Sequence, residues 1–432
     1  MALGGGKFTS QNKKLPGTYM NFASAQSASS AIGERGIAAM ALQMDWGKDG
    51  EIIEVTSEGF VKDSTKIFGY EYTNEKLKGL RDLFKNIKKA YFYRLNSGNK
   101  ATNNLATAKF SGVRGNDLKI VIQNNVDNED KFDVFTLLDT KEVDKQTVTK
   151  ASELQDNDFV TFKKDITLEV TASTPLTGGT NAENVTGEAH QNFLNKLESY
   201  QVNALGCTAT DKTTSNLYVQ YVKRLRDEQG VKFQVVLFNN VANYEGVVNV
   251  KNTTVEDNSA LVYWVTGVVA GCEINKSNTN KTYDGEYTVN ANYTQAELEA
   301  SIDAGEFTLH KVGNEIRVLV DINSLVDTIS EKGEEFKSNQ TIRVLDQIAS
   351  DTASVFNSKY LGKIANNEAG RTSLWTDIIK LFRNYQIIQA IENFSDEDIS
   401  VEIGNDKKSI SVDTHVQVIN TMEKLYMTVV VE

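Results

Sequence analysis

The sequence ends on an apolar, β-branched run, which constrains the fold more than any other feature. Its members are Leu425, Tyr426, Met427, Thr428, Val429, Val430, Val431 and Glu432. Chain ends are usually polar and frayed. A lone strand of this kind would expose backbone donors and acceptors that invite pairing with another chain. The run is therefore either an inner strand of its own domain or a strand that joins the sheet of a neighbouring copy.

A second segment of similar character lies near the other end of the chain. Residues 1–35 are rich in Gly, Ser and Ala and do not resemble a folded domain. A Leu15-Pro16-Gly17 turn signal precedes a short candidate strand. That strand comprises Thr18, Tyr19, Met20, Asn21 and Phe22. A disordered leader is the alternative interpretation. Two adhesive ends on one chain favour pairing between subunits.

Composition argues against several classes of protein. The net charge of −12 argues against a general nucleic-acid binder. Cys207 and Cys272 lie far apart, so neither a disulfide framework nor a zinc site is indicated. The best apolar run, Ala260–Cys272, is too short to span a bilayer, so we expect no direct membrane insertion. Met1–Gly6 and Lys7–Lys14 contain no apolar signal core, so we expect a protein that is used without export.

The first folded part, residues 36–98, is predicted to be α/β. Strands are expected at Ile37–Met44 and Ala90–Leu95, with a short element beginning near Glu51. Asn74–Lys89 carries apolar residues at helical spacing and is predicted to be a helix.

Residues 99–180 change character, because Thr, Val, Asp, Asn and Lys dominate and helical periodicity disappears. Short apolar segments separated by turn signals predict a small sandwich or barrel. The candidate strands are Thr107–Gly112, Leu118–Gln123, Lys131–Leu138, Phe159–Phe162 and Ile166–Thr171.

Residues 181–335 alternate between helix and strand, which predicts a doubly wound α/β sheet. The expected strands are Val202–Cys207, Phe233–Phe238 and Val247–Val250, followed by a hairpin around Gly313. The expected helices are Glu188–Tyr200, Thr213–Gln229, Ser259–Gly271 and Thr294–Ala304.

Residues 336–420 are predicted to be α+β. One helix spans Thr341–Leu361 with Gly362 at its end, and Thr372 is predicted to cap a second helix. Strands are expected near Ile399–Ile403, Ser409–Val412, Val416–Ile419 and Lys424–Val431.

No pattern in the sequence indicates catalysis, a cofactor or a metal. The three histidines, His190, His310 and His415, lie near no nucleophile elbow, and no P-loop or dinucleotide fingerprint occurs. Asp396-Glu397-Asp398 offers carboxylates for a metal, although an acidic cluster after Ser395 is more typical of a helix start.

Charge is uneven along the chain. Between Gln340 and Ala390 six basic residues outnumber four acidic ones, on a protein of net charge −12. This stretch is either an ordinary solvated helix face or a surface that meets an acidic partner.

Several of these features coincide. They are Leu15-Pro16-Gly17-Thr18-Tyr19, then Glu34-Arg35-Gly36-Ile37-Ala38-Ala39-Met40 leading into a strand, and Met422-Glu423-Lys424-Leu425-Tyr426-Met427-Thr428-Val429 at the end. Together with the order of the parts between them, they resemble the contractile tail sheath proteins of myophages and phage-tail-like bacteriocins. The resemblance is to the type found in prophage-like elements of Gram-positive bacteria, and it covers essentially the whole chain.

The resemblance implies a multidomain α/β and α+β architecture. Its parts would be an N-terminal arm (1–35), an α/β segment (36–98), a peripheral β-sandwich domain (99–180), a non-catalytic subtilisin-like α/β domain (181–335), an α+β C-terminal domain (336–420) and a C-terminal strand arm (421–432).

The resemblance also implies a structural role without catalysis or cofactors. The subunit would form stacked hexameric rings around an inner tail tube, linked by strand exchange through both arms, and would contract to drive the tube through a cell envelope. Further partners would be baseplate and tail-terminator proteins, and the particle would assemble in the host cytoplasm. A C-terminal-domain helix would touch the tube, which points to Lys359, Lys363 and Arg371.

Two other functions stay open on the residues alone. One is a cytoplasmic α/β hydrolase with an accessory β domain, which would need a pocket containing a histidine. The other is a tube or shell subunit that assembles without contracting.

Overall fold

A computed structural model describes residues 33–431, so the predicted strand at residues 18–22 lies outside the described residues. These residues form two compact units. The larger unit comprises residues 33–350, 389–392 and 418–431, and the smaller comprises residues 351–388 and 393–417.

Strands and helices alternate through most of the larger unit, and the elements of both units are numbered together in chain order. The strands are β1 (Ile37–Leu42), β2 (Ile52–Thr56), β3 (Lys89–Arg94), β4 (Ala106–Ala108), β5 (Leu118–Asn124), β6 (Phe132–Leu138), β7 (Lys141–Val148), β8 (Val160–Phe162), β9 (Thr171–Pro175), β10 (Ala204–Cys207), β11 (Gln234–Phe238), β12 (Val247–Val250), β13 (Glu306–Phe307), β14 (Leu309–Val312), β15 (Glu315–Val318), β16 (Ile391–Glu392), β17 (Ile399–Ile403), β18 (Ile410–Thr414) and β19 (Gln417–Val418). The α-helices are α1 (Ser57–Phe68), α2 (Lys78–Phe84), α3 (Gly187–Leu197), α4 (Lys212–Lys223), α5 (Leu261–Gly271), α6 (Gln295–Asp303), α7 (Asn339–Val355) and α8 (Glu368–Ile387).

A seven-stranded sheet forms the centre of the larger unit, in the order β13-β12-β11-β10-β1-β3-β2. Its strands pair in parallel, except that β2 is antiparallel to β3. One face is covered by α1, α2 and α5, with Phe60, Phe92 and Trp264 in its core. The other face is covered by α3 and α4, with Phe193 and Tyr218 in its core. The prediction of a sheet with helices on both faces is confirmed.

An antiparallel β-sandwich lies between β3 and α3 along the chain. Its four-stranded sheet has the order β7-β6-β5-β9, and β4 pairs with β8. Leu118, Ile120 and Val160 are fully buried in its core.

Polar contacts fix the sandwich to the central sheet. The side chain of Arg94, fully buried, donates from Nη1 to Asp49 Oδ1 at 3.1 Å and to the Ser111 carbonyl at 2.7 Å. Asn181 donates to Asp45 Oδ1 at 2.8 Å. Hydrogen bonds therefore hold the sandwich both where the chain enters it from β3 and where the chain leaves it at Asn181.

Several predictions in this unit are corrected. Residues 166–170 lie in no strand, although Leu168 is buried, and the edge strand β9 begins at Thr171. The charged strand β7 and the helix α1 were not predicted. The helix predicted at Asn74–Lys89 is shortened to a 3₁₀ turn and α2, since β3 already begins at Lys89.

The smaller unit contains the end of α7, helix α8 and the hairpin β17–β18. Helix α8 begins at Glu368 and is capped by Asn367, so the predicted cap at Thr372 is wrong; Thr372 instead donates back to the Glu368 carbonyl within the helix. A buried stripe of α8 forms the core of this unit, and it comprises Leu374, Ile378, Leu381, Phe382 and Tyr385.

The strand predicted at Lys424–Val431 does not form. These residues belong to no strand among those that the structure describes. A strand needs a partner to satisfy its backbone groups, and the described part of a single chain provides none here. Across residues 33–431, no helix is long and apolar enough to cross a membrane.

Candidate functional site

The last residues of the chain expose an unusual amount of apolar surface. The exposed fractions are 85% for Leu425, 88% for Tyr426, 75% for Met427, 70% for Val429, 81% for Val430 and 89% for Val431. Thr428 between them is also exposed. In an extended strand, alternate side chains share a face, so Leu425, Met427, Val429 and Val431 would form one apolar face. We call residues 425–431 the terminal strand segment.

The hairpin β17–β18 has a second apolar face. Ile399, Val401 and Ile403 lie opposite Thr414, Val412 and Ile410, so these side chains share one side of the two-stranded sheet. Ser400, Glu402, Ser411 and Asp413 occupy the other side. The hairpin packs against α8, where Ile399 is buried and Trp375 Nε1 donates to the Ile399 carbonyl at 3.0 Å. This anchor fixes the hairpin within the smaller unit.

The hydrogen bonds of the hairpin show which backbone groups face outward. The Gly404 amide donates to the Ser409 carbonyl at 2.9 Å, and the His415 amide donates to the Asp398 carbonyl at 3.0 Å. Because bonded and non-bonded pairs alternate in an antiparallel ladder, Val401 and Val412 are a non-bonded pair. Their N–H and C=O groups therefore point away from the hairpin.

Both edges of this hairpin lack a neighbouring strand within the described chain. Trp375 Nε1 donates to the Ile399 carbonyl on the β17 edge, so the backbone groups of the β18 edge are the more accessible of the two. Exposed strand edges are templates for pairing with another chain. The β18 edge is therefore open to an added strand.

The three predicted basic contact residues lie in the smaller unit, around the turn before α8. Lys359 Nζ binds both Asp377 carboxylate oxygens at 3.1 Å, so its charge is neutralised. Arg371 donates to Asn366 Oδ1 at 3.2 Å, and Lys363 donates to the Ser358 carbonyl. Lys363 is the most exposed of the three.

Sequence reasoning missed two apolar residues beside Lys363. Leu361 and Ile364 are 58% and 50% exposed, on either side of Gly362, whose φ is +69°. The sequence signal that could have identified them is the presence of large apolar side chains close to a glycine that ends a helix. Leu361, Lys363 and Ile364 together form an exposed patch of mixed apolar and basic character.

The histidines lie at separate places. His190 Nδ1 lies 2.8 Å from the Tyr218 hydroxyl, and burial lowers the pKa of His190. His310 is in β14, and His415 is exposed after β18. Within residues 33–431, no group of three or more His, Cys, Asp or Glu side chains could hold a metal. Ser395 and Asp398 form a capping box, so the acidic cluster after Ser395 is the start of a 3₁₀ helix.

Comparisons with known proteins cover nearly the whole chain. Family models match residues 35–95 (tail sheath protein Gp18 domain III N-terminal region), 96–181 (phage tail sheath protein beta-sandwich domain), 183–324 (phage tail sheath protein central domain) and 331–432 (phage tail sheath C-terminal domain).

Individual relatives agree with the family models. The phage-like element PBSX protein XkdK of Bacillus subtilis is 33% identical, with 99% of each chain covered. The crystal structure of a sheath tail protein from Desulfitobacterium hafniense is 36% identical with a TM-score of 0.82, over 95% of this chain and 99% of that one. The helical sheath of the anti-feeding prophage in its contracted state shares the fold, with a TM-score of 0.57 at 12% identity over 97% of this chain and 99% of that one.

Proposed function

The chain belongs to the phage tail sheath proteins of prophage-like elements, and from this we propose that it is a structural subunit of a contractile sheath. The subunit polymerises as stacked hexameric rings around an inner tail tube and contracts to drive that tube through a cell envelope. The observation that carries the proposal is the terminal strand segment, whose apolar side chains are exposed beyond the fold. The role is mechanical and needs no catalysis or cofactor.

Strand exchange would link the subunits. The terminal strand segment of one copy adds to an edge of the hairpin β17–β18 of another. Its face of Leu425, Met427, Val429 and Val431 would continue the apolar face that carries Val401 and Val412. The backbone groups at Val401 and Val412 point outward, as an added strand requires. We propose that residues 18–22 serve as the second donor strand.

We also propose a role for each part of the chain. Residues 36–98 and 181–335 would form a subtilisin-like body, which is supported by the single sheet that their strands share. Residues 99–180 would be the peripheral sandwich, and residues 336–420 with the arm 421–432 would carry the intersubunit mesh. The arm 1–35 would complete that mesh.

Contraction would be a switch between two packings of the same subunits. Backbone hydrogen bonds in the exchanged strands would persist while a Gly-, Ser- and Ala-containing segment such as residues 23–33 changes direction. The free-energy difference between the two lattices would drive the change without a nucleotide.

The inner tube would contact the turn before α8. Lys363, Leu361 and Ile364 are the exposed residues there, whereas Lys359 is paired with Asp377. We therefore propose that the tube contacts Lys363 and its apolar neighbours instead of Lys359 and Arg371. Baseplate and tail-terminator proteins would bind the ends of the polymer, which assembles in the host cytoplasm.

Negative-stain electron microscopy tests this function. Full-length protein is imaged over a range of concentrations, alone and with the tube protein of the same element. Hollow helical tubes of two lengths and diameters, before and after a trigger, are the expected result. Monodisperse monomers even in the presence of the tube protein would contradict the proposal.

A further inference from the structure

A short segment precedes the terminal strand segment and is held firmly by the larger unit. We call residues 419–423 the arm root. The Ile419 amide donates to the Ala390 carbonyl at 3.0 Å. Thr279 Oγ1 donates to Glu423 Oε1 at 2.8 Å. The chain is exposed from Asn420 onward, and the contact of Glu423 with Thr279 is the last hydrogen bond along the described arm, so we place the end of its fixed part there.

One side chain, Gln340 in α7, contacts the arm root as a neighbouring strand would. Its Nε2 donates to the Ile419 carbonyl at 3.0 Å. Its Oε1 accepts the Thr421 amide at 3.1 Å and the Thr421 hydroxyl at 3.3 Å. A carboxamide carries both a donor NH₂ group and an acceptor oxygen, so a single glutamine can pair with the carbonyl of one residue and the amide two positions later. Gln340 is 2% exposed.

Neighbouring hydroxyls of α7 and the residue before it reinforce this contact. Ser338 Oγ and Thr341 Oγ1 lie 3.4 and 3.3 Å from Asn420 Oδ1. Gln340, Ser338 and Thr341 together are called the root clamp. The clamp contacts three consecutive residues of the arm root, so it fixes both the position and the direction of the chain.

The helix behind the clamp is itself tied to the central sheet by buried polar groups. Asn339 Nδ2 donates to Asp321 Oδ1 at 3.0 Å, and Asn339 Oδ1 accepts from Gln234, the first residue of β11, at 2.8 Å. Arg343 donates to Asp321 Oδ2 at 3.0 Å, and both side chains are 1% exposed.

A second buried ion pair lies one turn further along α7. Arg226 binds Asp346 through two hydrogen bonds of 2.6 and 2.8 Å. Breaking a buried pair leaves an uncompensated charge, so α7 strongly resists displacement at these positions.

We infer that Gln340 is the residue that anchors the C-terminal arm, so that load on the terminal strand segment passes through the root clamp into α7 and the central sheet. The inference rests on the proposed function, because only an exchanged strand would carry such load. The arm would pivot after Glu423 and not at residues 419–421.

Amide hydrogen exchange on dilute, full-length protein tests the anchor without any polymer. In Gln340→Ala the Thr421 amide loses its acceptor, and its exchange is expected to become roughly tenfold faster, the effect of about one hydrogen bond and its surroundings. The amide of Val344, inside α7, should keep its rate. The matched control is Gln191→Ala, which removes a half-buried glutamine that donates to Asn195 Oδ1.

Each result has a definite meaning. An unchanged Thr421 rate, or an equal acceleration along all of α7, would overturn the inference. If Gln340→Ala does not fold, Asn420→Ala removes the exposed side chain of the arm root that Ser338 and Thr341 of the root clamp contact. That variant should also speed Thr421 exchange, by a smaller factor, and no change would again overturn the inference.

Shearing of assembled polymers tests whether the root clamp carries mechanical load. Polymers of Gln340→Ala should break into shorter pieces than wild-type polymers under the same flow, and equal lengths would contradict a load-bearing role. If wild-type protein forms no polymer at all, the proposed function fails, whereas the exchange result at Thr421 still decides whether the anchor exists.

Discussion

The β-sandwich and the hairpin β17–β18 are both antiparallel, but their edges have opposite chemistry. The outer strand β7 of the sandwich exposes Lys141, Glu142 and Lys145. The other outer strand, β9, contains Pro175 and pairs with β5 through a register shift. Charges, proline and irregular pairing are the features by which proteins prevent edge-to-edge association.

The hairpin has no proline and no register shift, and its exposed charges, Glu402 and Asp413, lie on the side of the sheet opposite to Val401 and Val412. The residues whose backbone groups face outward include Val401 and Val412, and no lysine or proline occurs within β17 or β18. The terminal strand segment has no charged residue from Leu425 to Val431. One chain can therefore protect the edges of one sheet and leave those of another open, and the open edge is where we propose that subunits pair.

Removal of residues 425–432 should have the largest effect on this contrast. The deletion is expected to abolish polymerisation while the circular dichroism spectrum and Tm stay unchanged, because the segment is exposed and belongs to no strand in the described chain. Electron microscopy and thermal unfolding measure the two properties. A variant with residues 425–431 replaced by Gly and Ser keeps the length and should behave alike. Polymers at the wild-type concentration would contradict the strand-exchange account.

A proline on the open edge should have the next largest effect. Val412→Pro removes an outward N–H without removing a hydrogen bond of the hairpin, so the monomer should keep its fold. The loss of one intersubunit bond and its geometry should raise the critical concentration for polymerisation roughly tenfold. Sedimentation measures this concentration. Val412→Ala keeps the N–H and is the matched control; an equal effect of both variants would show that the side chain and not the edge matters.

Removing the charges that protect the β7 edge of the sandwich tests whether an apolar edge there is enough to cause association. Glu142→Val combined with Lys145→Val makes β7 an apolar edge, and we expect concentration-dependent association even without residues 425–432. Light scattering detects it. Glu129→Val with Asp130→Val removes two exposed charges from a turn instead of an edge and should not associate. If both pairs associate equally, general hydrophobicity and not the edge would be responsible.

The smallest expected effect is a pH dependence confined to the sandwich junction. Burial acts to raise the pKa of Asp45, but hydrogen bonds from Tyr70 and Asn181 outweigh it and leave that pKa below its ordinary value of 3.8. A carboxyl with a depressed pKa contributes stability at neutral pH that is lost as the pH falls through its folded-state pKa. Asp45→Asn should therefore make Tm fall less steeply as the pH decreases below 3.8. An unchanged slope would mean that Asp45 does not link the junction to pH.

Periodicity made much of the fold predictable. The apolar run at Phe233–Phe238 and the turn at Gly313 gave a buried strand and a hairpin that the structure contains as β11 and β14–β15. Alternation of such strands with amphipathic helices was enough to predict the central sheet. The apolar composition of residues 425–431 was visible in the sequence, but the strand predicted there does not form in the described chain.

The remaining features depend on contacts that sequence patterns do not show. Strand β7 is charged because it is an edge, so it lacks an apolar signature. Leu168 is buried without being in a strand. Gln340 contacts residues about eighty positions away, and its buried neighbours Asn339 and Arg343 are polar, so no apolar stripe marks that face of α7. Such long-range polar pairing is visible only in the folded chain.

The most direct test of the account is the structure of the polymer by electron cryomicroscopy at a resolution that shows side chains. The account predicts a strand beside β18 or β17 of each subunit, with continuous density leading to residues 425–431 of a different copy. A hairpin without an added strand, or residues 425–431 folded back onto their own chain in the polymer, would contradict it.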